Sequence, residues 1–170
     1  YNGAGALTDF GCYGANLATW IMKGQTPLSV SCVTQQIKPH IYPKVDDEAI
    51  IILTYPKTQV VIQASWNWPI NRKDMEIYGT GGFMKTQGGK NNLVKLKGME
   101  APQLISAPKL SYGLHEPFAM LTSIIKNKYK LAPFAPSSME NNLIVMQILS
   151  AAKEASKSGR TIIWKEFFDK

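Results

Sequence analysis

Asp9 and Tyr13 stand four residues apart in Gly5-Ala6-Leu7-Thr8-Asp9-Phe10-Gly11-Cys12-Tyr13. On a helix that spacing sets both side chains on one face. A carboxylate accepts a hydrogen bond or a proton and a phenol donates one, so the pair can manage the proton of a substrate hydroxyl. Gly5 and Ala6 beside them leave room for a ligand. The spacing alone also fits a plainer account, with Asp9 as a helix cap and Tyr13 as a core aromatic.

A second cluster is Ser65-Trp66-Asn67-Trp68-Pro69-Ile70-Asn71-Arg72. Trp66 and Trp68, two apart at a strand end, are expected to point to the same face. Indole rings stack on sugar C–H faces, and Asn71 and Arg72 can bond hydroxyls. Equally, the rings could cover a sheet or fill an oligomer interface. Gly79-Thr80-Gly81-Gly82 reads as a tight β-turn, because a strand and not a helix follows it, whereas a dinucleotide fingerprint needs strand, turn and helix. His40 and His115 have no nucleophile motif around them and read as surface or cap residues. Asp46-Asp47-Glu48 reads as a solvated strand edge. Cys12 and Cys32 read as free buried thiols, with a mutual disulfide as the alternative. No four-ligand metal site is expected.

The elements that must position these residues follow from periodicity. Residues 3–24 read as a Gly-rich opening and one helix, with Leu7, Phe10, Tyr13 or Gly14, Leu17 and Ile21 on its apolar face. Glycine weakens a helix by up to ~1 kcal/mol, so Gly5, Gly11 and Gly14 imply close approach of a backbone or a ligand. Strands are expected at 28–37, 48–55, 59–68, 75–78, 83–86 and 93–96, with a hairpin at Pro56-Lys57-Thr58. Residues 99–112 read as a connection. Helices follow at 116–127 (apolar face Phe118, Leu121, Ile124, Ile125) and 137–158 (apolar face Leu143, Met146, Leu149, Ala152, Ala155), then a short strand at 161–164. Strands grouped apart from helices predict an α+β fold. The expected form is an open, mainly antiparallel sheet of about six or more strands with helices on one face.

The chain has 170 residues, 45% hydrophobic and 18% charged, which suits one ordinary globular domain. Its formal net charge of +7 comes from scattered lysines and only Arg72 and Arg160. Lys95/Lys97 and Lys126/Lys128/Lys130 read as solvated faces, so no nucleic-acid partner is expected. No apolar run approaches the ~20 residues of a membrane span. Tyr1-Asn2-Gly3 shows no signal-peptide pattern, and a piece of a longer protein is expected. A cytoplasmic location is expected, with the periplasm as the alternative.

Four ordered blocks resemble the C-terminal domain of the glucose–fructose oxidoreductase/inositol dehydrogenase (Gfo/Idh/MocA) family. They are Gly5 to Tyr13 with Trp20-Ile21 and Pro27; Asp46-Asp47-Glu48-Ala49; Ser65 through Gly82; and Asn141-Asn142 through Gly159-Arg160. The resemblance implies a separate N-terminal Rossmann domain for NAD or NADP, a sugar-like substrate, and homo-oligomer contacts through the open sheet face. It implies Asp9 orienting a lysine or a substrate hydroxyl, Tyr13 at the reacting hydroxyl, and substrate contacts from Gly5, Trp66, Trp68, Asn71 and Arg72. Tyr13 stands where most members carry histidine, and a phenol needs a neighbouring cation to serve as a base at neutral pH. The chain shows no nucleotide fingerprint and no Glu-Lys-Pro, so catalysis by the chain alone is not expected. A non-catalytic oligomerisation or carbohydrate-binding module is the alternative.

Overall fold

Where one helix was expected over 3–24, the chain forms two, α1 (Ala6–Asp9) and α2 (Gly11–Ile21), separated at Phe10. The computed structural model describes residues 4–87, 89–111 and 113–169. Gly3, in the Gly-rich opening, and position 112, at the end of the expected connection, lie outside the described residues. Strands β1 (Ser29–Gln35), β2 (Glu48–Thr54), β3 (Gln59–Ser65), β4 (Glu76–Gly79), β5 (Gly82–Gln87), β6 (Asn91–Leu96) and β7 (Gln103–Ser106) follow in order. Then come α3 (Pro117–Ile125), α4 (Met139–Ser158), β8 (Ile162–Ile163) and α5 (Trp164–Phe168). Strand β7 lies inside the stretch expected to be a connection, and α5 was not expected.

The class is α+β, and the strands divide into two antiparallel four-stranded sheets, ordered β3-β2-β1-β8 and β4-β5-β6-β7. They belong to two compact units. One holds the described residues up to Asn67 and from Leu131 onward; the other is Trp68–Lys130.

In the first unit, alternation along the strands decides the core. Val30, Cys32, Ala49, Ile51, Leu53, Ile62 and Ala64 face inward and pack against the helices. Val33 and Val61 on the opposite face are 66% and 57% exposed. Burying a side chain the size of Ile51 or Leu53 contributes ~1.5–3 kcal/mol. The helix faces match expectation in part: Leu149, Ala152 and Ala155 of α4 are buried as expected, while the expected face of α2 is not. On α2 the buried residues are Gly11, Ala15, Ala18 and Thr19, while Tyr13, Leu17, Trp20 and Ile21 are exposed. On α4 Val145, Ile148, Leu149, Ala151, Ala152 and Ala155 are buried, while Leu143 and Met146 face out. The helices sit close to the sheet, and only small side chains fit the gap on α2. Asn16 Nδ2 then ties α2 to the start of α4, donating to Pro136 O at 2.9 Å and Asn142 Oδ1 at 3.2 Å. Ser138 caps α4 through Asn141 N, and Gly159 ends it at φ 66°.

In the second unit the hairpin Gly79-Thr80-Gly81-Gly82 joins β4 to β5 with Gly79 opposite Gly82, the tight turn expected. No described hydrophobic side chain of this unit is fully buried. Phe118, Leu121 and Ile125 of α3 form the expected row but stand exposed. Glu116 caps α3 by accepting from Phe118 N and Ala119 N.

Candidate functional site

Asp9 closes α1 and Tyr13 lies in the first turn of α2, so the pair spans a helix break. Neither plainer account holds. Asp9 caps no helix start, and Tyr13 is 59% exposed. Asp9 Oδ2 accepts a hydrogen bond from Trp66 Nε1 at 3.1 Å. Trp66 lies beyond the end of β3, and its ring packs on Tyr42 with centroids 4.8 Å apart, tilted 56°. The structure thus brings Asp9, Trp66 and Tyr42 together, and the Tyr13 ring stands 6.5 Å from that of Phe10.

The expected Trp66–Trp68 pairing on one strand face is absent, because β3 ends at Ser65. Trp68, Asn71 and Arg72 fall in the second unit. There the Arg72 guanidinium covers the Trp68 ring at 4.7 Å and is held by Asp74 at 2.7 and 3.0 Å. That pairing raises the Arg72 pKa. Asn71 is exposed.

The acidic run is where sequence reasoning missed most. It is a junction and not a solvated edge. Asp46 supplies the cap that α1 lacks, since Gly5 has no side chain to offer. Asp46 O accepts from Ala6 N at 2.9 Å and its Oδ2 from Leu7 N at 2.7 Å. Asp47 is fully buried and accepts from Ile37 N and Lys38 N, both at 2.7 Å, which pins the loop carrying Tyr42. Its carbonyl accepts from Trp66 N at 2.9 Å and Asn67 Nδ2 at 3.0 Å. Glu48 Oε2 takes Ser65 Oγ at 2.5 Å and Asn67 Nδ2 at 3.2 Å. Three consecutive carboxyl residues therefore fix the start of α1, the Tyr42 loop and the chain leaving β3. The signal in the sequence was polar density just ahead of a β-branched strand.

Gly5 belongs to the same junction. A Cβ there would stand 2.0 Å from Asp46 Oδ1. At Gly14 a Cβ would meet Ile62 Cγ2 at 2.4 Å. The close approach expected at these glycines is to the protein's own residues.

Burial pushes the Asp47 pKa up, but hydrogen bonds from Ile37, Lys38 and Asn67 outweigh it and hold it below the usual carboxylate value. A carboxylate depressed in the folded state stabilises the fold above its unfolded pKa, near ~3.9 for aspartate. That contribution is lost as pH falls through the lower folded value. Thermal melts are therefore expected to hold steady near neutrality and fall on the acid side. Asp47→Asn is expected to melt lower at neutral pH with a flatter acid limb; a limb parallel to wild type would exclude Asp47 as a source of the acid lability.

The cysteines are free, with Cys32 buried and Cys12 half-buried. Burial, then Asp46, pushes the Cys32 thiol up to about 12, and burial, then Asp9, raises Cys12. Neither serves as a ready thiolate at neutral pH. Among the described residues no group of three or more His, Cys, Asp or Glu is placed to hold a metal, and no helix is long and apolar enough to cross a membrane.

The fold is one that solved oxidoreductases carry. An oxidoreductase from Agrobacterium radiobacter, in complex with NAD+, L-tartaric acid and magnesium, matches with TM-score 0.71 at 18% identity, over 95% of this chain and 50% of that one. GenD2 from gentamicin A biosynthesis, in complex with NAD, matches with TM-score 0.64 at 19% identity, over 94% and 48%. An NAD-binding protein from Listeria innocua matches with TM-score 0.61 at 16% identity, over 94% and 47%. The chain spans about half the length of these proteins. The GFO/IDH/MocA C-terminal domain family matches residues 1–85, half of the chain, and the chain belongs to that family. No curated protein matches.

Proposed function

We propose that this chain is the substrate-side domain of an NAD(P)-dependent oxidoreductase that moves a hydride between nicotinamide and a sugar or cyclitol hydroxyl. The observation that carries the reading is the exposed Asp9 carboxylate, fixed by Trp66 and followed four residues later, across the helix break, by exposed Tyr13. An acceptor and a donor at that spacing suit the proton of a hydroxyl. In this reading Gly5 keeps the turn before Asp9 narrow.

The described residues offer no dinucleotide cradle, since Gly79–Gly82 is a hairpin turn with a strand after it. The cofactor therefore belongs to a separate Rossmann domain of the same protein, where it supplies the hydride acceptor or donor. The exposed apolar row Tyr13, Leu17, Trp20 and Ile21, at one-face helical spacing, supports a covering partner domain. The open sheet face, with Val33, Ile50 and Val61 exposed, is the surface for homo-oligomer contacts.

Calorimetry tests the division of labour. This chain is expected to give no binding heat with NAD(H) or NADP(H), and the protein carrying its Rossmann domain is expected to bind one of them. Tight binding by this chain alone would reject the reading. Light scattering on the intact sample, with Val61→Lys expected to lower its mass, tests the assembly face; an unchanged mass rejects it.

A further inference from the structure

We propose that Trp66 is the positioning residue of the Asp9 carboxylate, with Tyr42 as its buttress. The assignment rests on Asp9 being the carboxylate of the site. An indole has a single N–H and no acceptor, so its one polar contact is committed wherever it donates. Here it donates to Asp9 Oδ2 at 3.1 Å, across a sequence separation of 57 residues. Among the described residues no other donor reaches that carboxylate, which leaves Oδ1 available to a ligand. Without the indole, an exposed aspartate at the end of a single helical turn would sample several rotamers.

The indole is held from two sides, and both lead back to Asp47. Its main chain is fixed by Trp66 N donating to Asp47 O at 2.9 Å, and the next residue by Asn67 N donating to Ser65 Oγ at 3.0 Å. Its ring leans on Tyr42 at 4.8 Å. The Tyr42 loop is closed by Tyr42 N donating to Lys38 O at 2.9 Å and by Gln36 Nε2 donating to Tyr42 O at 2.5 Å. That loop hangs on the Asp47 carboxylate through Lys38 N. A buried anchor thus carries an aromatic corner, and the corner aims one oxygen of an exposed carboxylate. Misplacement of a catalytic group by about 1 Å costs on the order of 10²-fold in rate, so this support bears on kcat more than on ligand affinity.

Two measurements test the assignment. The first uses this chain. Of the indole N–H resonances of Trp20, Trp66, Trp68 and Trp164, only that of Trp66 is expected to move in Asp9→Asn; an unmoved resonance overturns the contact. The second uses the intact oxidoreductase, with NAD+ or NADP+ and whichever of myo-inositol and D-glucose it oxidises. Trp66→Phe keeps the ring and removes the N–H. It is expected to lower kcat by about 10–100-fold, with KM within about twofold. Tyr42→Leu is expected to do the same, while Tyr42→Phe, which keeps the buttress, is expected to retain the wild-type rate. In Asp9→Asn the further Trp66→Phe change is expected to add nothing. If Asp9→Asn abolishes turnover while Trp66→Phe leaves kcat intact, the positioning role is wrong and the Asp9 reading stands. If Asp9→Asn keeps the rate, the Asp9 reading fails and takes the positioning role with it.

Discussion

On the proposed function, Asp9→Asn in the protein carrying its Rossmann domain is expected to lower kcat by about 10²–10⁴-fold, the range for removing a positioned acid–base group. The substitution is nearly isosteric. Its amide oxygen can still accept from the Trp66 indole, so the junction around α1 stays in place, and the negative charge and the proton-accepting oxygen are lost. Melting temperature should change little, because Asp9 is exposed and its side chain makes one hydrogen bond, from Trp66 Nε1, while its backbone bonds to Gly5 and Cys12 are untouched by the substitution. The rate is read from nicotinamide absorbance with cyclitol and aldose probes. Tyr13→Phe provides the matching control on the phenol and should also slow turnover without unfolding the chain, since Tyr13 is 59% exposed. Wild-type turnover in Asp9→Asn would remove Asp9 from the mechanism.

The second large effect is on stability. Gly5→Ala is expected to destabilise the first unit by roughly 2–5 kcal/mol, an overpacking cost plus the cost of unpaired backbone donors. The new methyl would sit 2.0 Å from Asp46 Oδ1 and 2.7 Å from the Asp46 carbonyl oxygen. Those two atoms belong to the carboxyl and carbonyl groups that satisfy Leu7 N and Ala6 N. Moving Asp46 aside to admit the methyl therefore releases the start of α1. Chemical denaturation of the two proteins reads the difference. Gly81→Ala is the control: nothing lies within 4 Å of its Cβ position, and a change under about 0.5 kcal/mol is expected there. A Gly5→Ala chain as stable as wild type would show that the turn before Asp9 can relax without cost.

The strands were legible because their signal is local. β1, β2 and β3 alternate buried and exposed residues, and their limits fall within a few residues of the β-branched runs. The Gly79–Gly82 turn was legible for the same reason. Strand β7 was not, because Gln103–Ser106 is four exposed residues between prolines and carries no inward side to give it a period. The helix faces were misread for a physical reason. On α2 Leu17 and Ile21 make the stronger apolar pattern, yet that helix lies close on the sheet and buries Gly11, Ala15, Ala18 and Thr19 instead; on α4 the buried face is shifted round to Val145 and Ile148 beside Leu149, which leaves Leu143 and Met146 outward.

By itself the sequence determined the α+β class, the order and approximate limits of most elements, and the spacing of Asp9 and Tyr13, since each depends on residues near one another in the chain. Tertiary structure decided what those residues meet. It alone set the Trp66 indole on Asp9, placed Tyr42 behind the indole, and turned Asp46-Asp47-Glu48 from a charged edge into the junction beneath them. Those are contacts across tens of residues, fixed by which backbone donors the folded chain leaves unpaired, and no local pattern encodes them.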